Sequence, residues 1–158
     1  MKSSPMTPLG YKKMQDELVY LKTVERHRII KAISVAREHG DLSENAEYDA
    51  AKEAQALLEG RIKNLDSKLS RAQIIDPATT NSSKVIFGAT VTIVDLDRDE
   101  EETWMIVGED EANLQERKLG ITSPIARALI GKSVGDEVNI VTPRGTKCCE
   151  VMAIKFIS

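Results

Sequence analysis

At 158 residues the chain has room for one domain or two small ones. Aromatic residues make up only 4% and charged ones 30%, a balance that suits a long exposed helical region beside a modest core. The formal net charge of −3 excludes bulk electrostatic attraction to nucleic acid, and no run approaches the ~18 apolar residues of a membrane span.

The first predicted element opens at Thr7-Pro8, a capping hydroxyl followed by proline at the first helical position. Apolar residues then recur at Tyr11, Met14, Leu18 and Leu21, the alternating spacing of a coiled-coil seam. The same phase next meets Glu25 and Arg28, so the seam breaks. Val24, Ile30 and Ile33 are expected to resume it in a shifted phase, as after a stutter. This helix stops near Gly40. A second helical pattern opens with Ala46, Ala50 and Ala54, continues through Leu58, Ile62, Leu65, Leu69 and Ala72, and ends at Asp76-Pro77. Each arm is ~32 residues, roughly 48 Å at 1.5 Å per residue. Two such arms joined by a short turn must be antiparallel neighbours.

Between the arms lies Gly40-Asp41-Leu42-Ser43-Glu44-Asn45-Ala46-Glu47-Tyr48-Asp49, with acids at 41, 44, 47 and 49. Two readings of these acids are open. In the first, Asp41 is an N-cap and Glu44 closes a capping box, with Ser43 as an alternative cap, and the acids complement the helix dipole. In the second, Asp41 and Glu44 hold a divalent metal. Magnesium takes hard oxygen ligands and commonly only one or two protein carboxylates, with water and phosphates completing its octahedron. Two carboxylates on an exposed tip bind such an ion usefully only where another macromolecule supplies the remaining ligands.

Residues 77–84, Pro-Ala-Thr-Thr-Asn-Ser-Ser-Lys, read as a linker. The pattern then changes to strands at 85–87, 90–96, 103–107, 136–141 and 147–157, rich in Val, Ile and Thr, with a short helix at 123–130 introduced by Pro124 and followed by Gly131. The expected organisation is therefore α+β in two domains: a helical hairpin over 1–76, the linker, and a sheet domain over 85–158. The acidic run from Asp95 to Glu102 reads as a solvated hairpin turn. Cys148 and Cys149 are adjacent in a strand, point to opposite faces and do not suit a mutual disulfide; with no metal-type Cys/His spacing, a reduced, cytoplasmic protein is expected. The N-terminus lacks the apolar stretch of a signal peptide.

The charge balance differs between halves: residues 1–76 hold 13 Lys/Arg and 12 Asp/Glu, leaving 9 and 13 for the rest. Arg37 and Lys52, flanking the tip on opposite arms, are candidates for phosphate or partner contact, with Lys22, Arg26, Arg28 and Lys31 further back. The alternative is a solvated face balancing acids such as Glu38 and Glu53. No aromatic platform accompanies these cations, so independent single-strand binding is not expected. Tyr48 is expected to buttress the turn. His27 and His39 suggest no site.

The run Ala36-Arg37-Glu38-His39-Gly40-Asp41-Leu42-Ser43-Glu44-Asn45-Ala46-Glu47-Tyr48 resembles the tip of the bacterial transcript cleavage factors of the Gre family. The resemblance extends to Met6-Thr7, Gly60-Arg61-Ile62, Val85-Ile86-Phe87-Gly88-Ala89-Thr90-Val91 and Ser123-Pro124-Ile125-Ala126-Arg127-Ala128-Leu129-Ile130-Gly131-Lys132, and so spans essentially the whole chain. It implies an antiparallel coiled-coil hairpin and an FKBP-like second domain. It implies a factor that binds RNA polymerase, inserts its hairpin through the secondary channel and stimulates cleavage of backtracked nascent RNA by the polymerase, without being an enzyme itself. Asp41 and Glu44 match the two acids that help hold a second Mg2+ shared with the polymerase active site, and none is expected bound in the free protein, which is expected to be monomeric. Leu42, Ser43, Asn45 and Tyr48 match the surrounding tip; Ser123, Pro124 and Ile125 match the segment that docks on the polymerase. Two other classes remain to be distinguished: an adaptor gripping partners by its seam, and a prolyl isomerase with a helical appendage, against which stands the small aromatic set Phe87, Trp104 and Phe156.

Overall fold

The computed structural model describes residues 3–40 and 45–157. Within it the chain forms two compact units, residues 11–71 and residues 3–10 with 72–157.

The first unit is a helical hairpin. Its first arm comprises α1 (Pro8–Tyr20), whose opening turn clusters with the second unit, a π-helical turn (Leu21–Glu25) and α2 (Arg26–Arg37). The second arm is α3 (Ala46–Ser70). Ile29 and Ile33 pack with Ala51, Leu58 and Ile62, and Leu18, Leu21, Tyr48 and Ala54 border this cluster. The predicted phase shift is present and its cause is the π turn. From Leu18 to Ile33 the inward line runs one residue longer than two heptads, and a π turn absorbs one extra residue. The insertion rotates the helix beyond it by about 100°. It carries Ile29, Ile33 and Ala36 inward and leaves Val24 and Ile30, expected on the seam, half-exposed at 50% each. The same correction applies across the hairpin, where Ala51 is buried and Ala50 is exposed.

Ion pairs cross between the arms. Arg26 grips both oxygens of Glu59 at 2.7 and 3.0 Å, Arg61 holds Glu17 at 3.0 Å, and Lys22 lies 3.8 Å from Asp66. These pairs are solvated, so each contributes about 0–1 kcal/mol. They fix register more than stability, which comes from the apolar seam.

The second unit holds a five-stranded sheet in the order β5-β4-β3-β7-β6, built from β3 (Thr90–Asp95), β4 (Glu100–Val107), β5 (Lys118–Gly120), β6 (Glu137–Thr142) and β7 (Gly145–Lys155). β3 pairs antiparallel with β4 and β7, β6 antiparallel with β7, and β5 parallel with β4. A register shift between Thr92 and Ile93 kinks the central pair. Helix α4 (Pro124–Leu129) buries Ala126 and Leu129 in a core shared with Val91, Ile93, Ile106 and Val151. A separate two-stranded parallel ribbon joins β1 (Ser4–Met6) to β2 (Ala72–Ile74).

Residues 85–87, predicted as a strand, are not one. Val85 exchanges backbone hydrogen bonds with Gly131 and Lys132 at 2.8 Å, and the chain then turns at Gly88, whose φ of +87° suits glycine. The apolar run there reflects burial of Val85 and Phe87 rather than strand pairing. Residues 77–84 contain a 3-10 turn, Pro77–Thr79, capped by Asp76. In the β3–β4 turn, Asp95 accepts from the amides of Asp97 and Arg98, as its acidic, turn-forming composition predicts. Cys149 is buried and Cys148 half-buried, both free thiols, and burial pushes the Cys149 thiol up, away from thiolate reactivity.

Truncating Ile62 to Ala removes a side chain that is 5% exposed and is expected to cost about 2–4 kcal/mol in urea unfolding. Leu57→Ala, on a side chain 71% exposed, is expected to shift stability by no more than about 0.5 kcal/mol. Equal losses would contradict the assigned seam.

Candidate functional site: the hairpin tip

The two arms are fastened at their far end by one side chain. Asn45 sits in an extended conformation (φ −92°, ψ 99°) as the N-cap of α3, and its Oδ1 accepts from the Tyr48 amide at 3.1 Å. Its Nδ2 donates to the Ala36 carbonyl on the opposite arm at 2.7 Å. One amide therefore satisfies an orphan donor of the helix that begins and an acceptor of the helix that ends. Gly40 follows α2 with φ +97°, the left-handed conformation that ends helices.

This geometry corrects the capping reading. The cap of α3 is Asn45, not Asp41 or Ser43, because the helix starts at Ala46 and Asn45 makes the capping bond. Asp41, Leu42, Ser43 and Glu44 themselves lie outside the described residues. Among the described residues no group of three or more His, Cys, Asp or Glu side chains is arranged to hold a metal.

Behind the tip, the structure brings Arg37 and Lys52 together. Both line a shallow groove of about 250 Å³ with Ile30, Ile33, Ser34 and Gln55. Lys52 donates to Gln55 Oε1 at 3.2 Å. The Arg37 guanidinium lies 6.0 Å from the centre of the Tyr48 ring, at the outer limit of a cation–π contact, while Tyr48 packs against the hairpin core. His39 on one arm lies 3.4 Å from Glu47 on the other, an attraction that operates when the imidazole is protonated. The groove was hidden in the sequence because Ile30 reads as a seam residue, whereas the phase set by the π turn leaves it half-exposed.

Other candidate cations have other duties. Lys22 and Arg26 pair with Asp66 and Glu59 across the arms, and Arg28 pairs with Glu25 at 2.9 Å. The hydrogen bond from Arg28 holds the Glu25 carboxyl below its usual range. In the second unit, Ser123 caps α4 by accepting from the Ala126 amide at 3.3 Å, and Pro124 is exposed. Ile125 is half-buried against the sheet core. Trp104 is a core residue at 8% exposure, its indole N–H donating to Glu102 at 3.0 Å and its ring under the Arg117 guanidinium. That commitment does not favour an isomerase pocket built on it.

The profile of the N-terminal domain of GreA/GreB transcription elongation factors matches residues 4–74, and that of their C-terminal domain matches residues 79–156. The chain belongs to the GreA/GreB family. It is 56% identical over 156 residues to the transcription elongation factor GreA of Hyphomonas neptunium, covering 99% of both chains. It is 57% identical over 156 residues to that of Ruegeria pomeroyi, again covering 99% of both. The crystal structure of Gfh1 from Thermus aquaticus is 28% identical, with 98% of this chain and 99% of that one covered and a TM-score of 0.44. The GreA/GreB membership makes the chain a transcription elongation factor of two-domain α+β architecture, rather than a free-standing enzyme. No helix among the described residues is long and apolar enough to cross a membrane.

Asn45→Ala is expected to lower stability by about 1–2 kcal/mol, the cost of a lost cap with its acceptor partner. Asn45→Asp keeps the cap and loses only the donor to Ala36, so it is expected to cost less than about 1 kcal/mol. Chemical denaturation measures both, and amide exchange at Tyr48 should quicken in the alanine variant alone.

Proposed function

We propose that this factor binds RNA polymerase, passes its hairpin into the enzyme's secondary channel and stimulates cleavage of backtracked nascent RNA by the polymerase, so that arrested complexes resume elongation. The observation that carries this reading is the Asn45 bridge, which fastens the two arms behind the tip and caps α3 with a neutral side chain.

The donor set suits Mg2+: two hard carboxylate oxygens, too few to hold the ion tightly alone and enough to share one with the polymerase. Asp41 and Glu44 would hold it. Held there, such an ion would supply Lewis-acid chemistry toward water and phosphoryl oxygens. Leu42, Ser43, Asn45 and Tyr48 shape and support the tip. Arg37 and Lys52, both lining the groove, offer positive charge to the phosphates of the extruded RNA 3′ end or to the channel wall. Ser123, Pro124 and Ile125 dock the second unit on the polymerase. The factor works as a monomer in the cytoplasm.

The test uses polymerase stalled and backtracked on a labelled transcript with Mg2+ present. Adding the factor should shorten the RNA. Asp41→Asn and Glu44→Gln should each lower the cleavage rate by at least about a hundredfold, the scale of a lost charge-stabilising group. Both should still compete with the unaltered factor for polymerase. Undiminished cleavage by these variants would refute the role of the acids, and no cleavage by the unaltered factor would refute the function itself.

A further inference from the structure

The groove behind the tip lies wholly within the hairpin unit, and its lining follows from helical spacing. On α2, Ile30, Ile33, Ser34 and Arg37 stand at i, i+3, i+4 and i+7, which puts them on one face. On α3, Lys52 and Gln55 stand at i and i+3. Ile33 is buried at 8% exposure and Ile30 is open to solvent at 50%, so the floor is apolar and reachable. At about 250 Å³ the groove is smaller than the ~300–1,000 Å³ of sites for drug-sized ligands. That size suits one nucleotide rather than a longer segment.

The polar lining is one-sided. Lys52 donates to Gln55 Oε1 at 3.2 Å. An ammonium only donates, so this bond fixes the amide: its oxygen faces Lys52 and its NH2 is what it offers a ligand. The Arg37 guanidinium is also a donor only, with the Tyr48 ring centre 6.0 Å away. Among the polar side chains lining the groove, only the Ser34 hydroxyl can also accept. A ligand that fits must bring acceptors, negative charge and a flat apolar face. A nucleotide of single-stranded RNA has all three: base-edge acceptors, a phosphate and a ring that stacks on a guanidinium plane.

We propose that this groove holds one nucleotide of the extruded RNA and that Gln55 reads its base, favouring guanine over adenine. The inference rests on the proposed entry of the hairpin into the polymerase, and it adds a base contact to the phosphate contacts of Arg37 and Lys52. A glutamine with both ends free takes adenine, its oxygen accepting from the N6 amine and its NH2 donating to N7. Here Lys52 holds the oxygen. The remaining donors match guanine, whose O6 and N7 are neighbouring acceptors. Adenine would set its N6 amine against them. The ring of the base lies against Ile30, and its phosphate is turned toward Arg37.

The test uses backtracked complexes whose transcripts carry guanine or adenine at one extruded nucleotide at a time. Full-length unaltered factor, Gln55→Ala and Lys52→Ala are each added at saturation, with polymerase affinity measured by competition. For each factor the cleavage rate is read as a guanine-to-adenine ratio, so that the polymerase's own base preference cancels between factors. At one extruded position the ratio for the unaltered factor should exceed that for Gln55→Ala by about threefold, the scale of one hydrogen bond at a solvated surface. Lys52→Ala frees the Gln55 oxygen, so its ratio should fall below that of Gln55→Ala. Loss of a phosphate contact alone does not produce that reversal. Lys52 is exposed and Gln55 half-buried, and alanine favours a helix, so both variants keep the fold. One and the same ratio for all three factors at every extruded position would overturn the inference. So would a loss of polymerase affinity in Gln55→Ala that is equal for every transcript and accounts for the whole effect, since the groove would then meet the channel wall. An unaltered factor that shortens no transcript would overturn the functional reading itself, and this inference with it, before any ratio is compared.

Discussion

The tip depends on one amide side chain spanning two helix ends. Asn45 gives its oxygen to the helix that begins and its nitrogen to the carbonyl of the helix that ends. Without it, the first amides of α3 would seek another cap and the acids at 41 and 44 would be the nearest candidates. With it, α3 is capped by a neutral group that also reaches the opposite arm.

The rest of the hairpin serves to hold that tip at a distance. The apolar seam contributes the stability, and the π turn keeps it facing inward where a strict heptad would have rotated it away. The crossing ion pairs contribute register: a slip of one turn would separate Arg26 from Glu59 and Arg61 from Glu17. The fold thus divides its work among a dry seam, a charged ladder and a neutral staple. The sheet unit is held together by buried apolar side chains such as Ile93, Ile106, Leu129 and Val151.

Much of this was legible in the sequence, and the failures have physical causes. The antiparallel arms, the break near Glu25 and the period-two strands come from long periodic patterns, which report burial over many residues. The misplacements lie where one residue of phase decides the face. Ile30 and Ala50 read as inward until the π turn and the position of the α3 cap are known. Residues 85–87 read as a strand because Val85 and Phe87 are buried, although the backbone there bonds to a loop. The ribbon of β1 and β2 and the short β5 escaped notice because three residues carry no periodicity. At the tip, local capping rules assigned the cap to Asp41 or Ser43. Asn45 was read as tip support, but no sequence rule shows a donor reaching nine residues back to Ala36.

The central claim is that the tip carboxylates complete a magnesium site inside the polymerase. Its most direct test is the Mg2+ dependence of transcript cleavage in backtracked complexes saturated with factor. If Asp41 is a ligand, Asp41→Asn should raise the half-saturating Mg2+ concentration by at least about tenfold, with excess Mg2+ restoring part of the rate, since losing even an outer partner of a metal site costs about ten- to a hundredfold in affinity. An unchanged Mg2+ dependence in a variant that still occupies the polymerase would contradict the account.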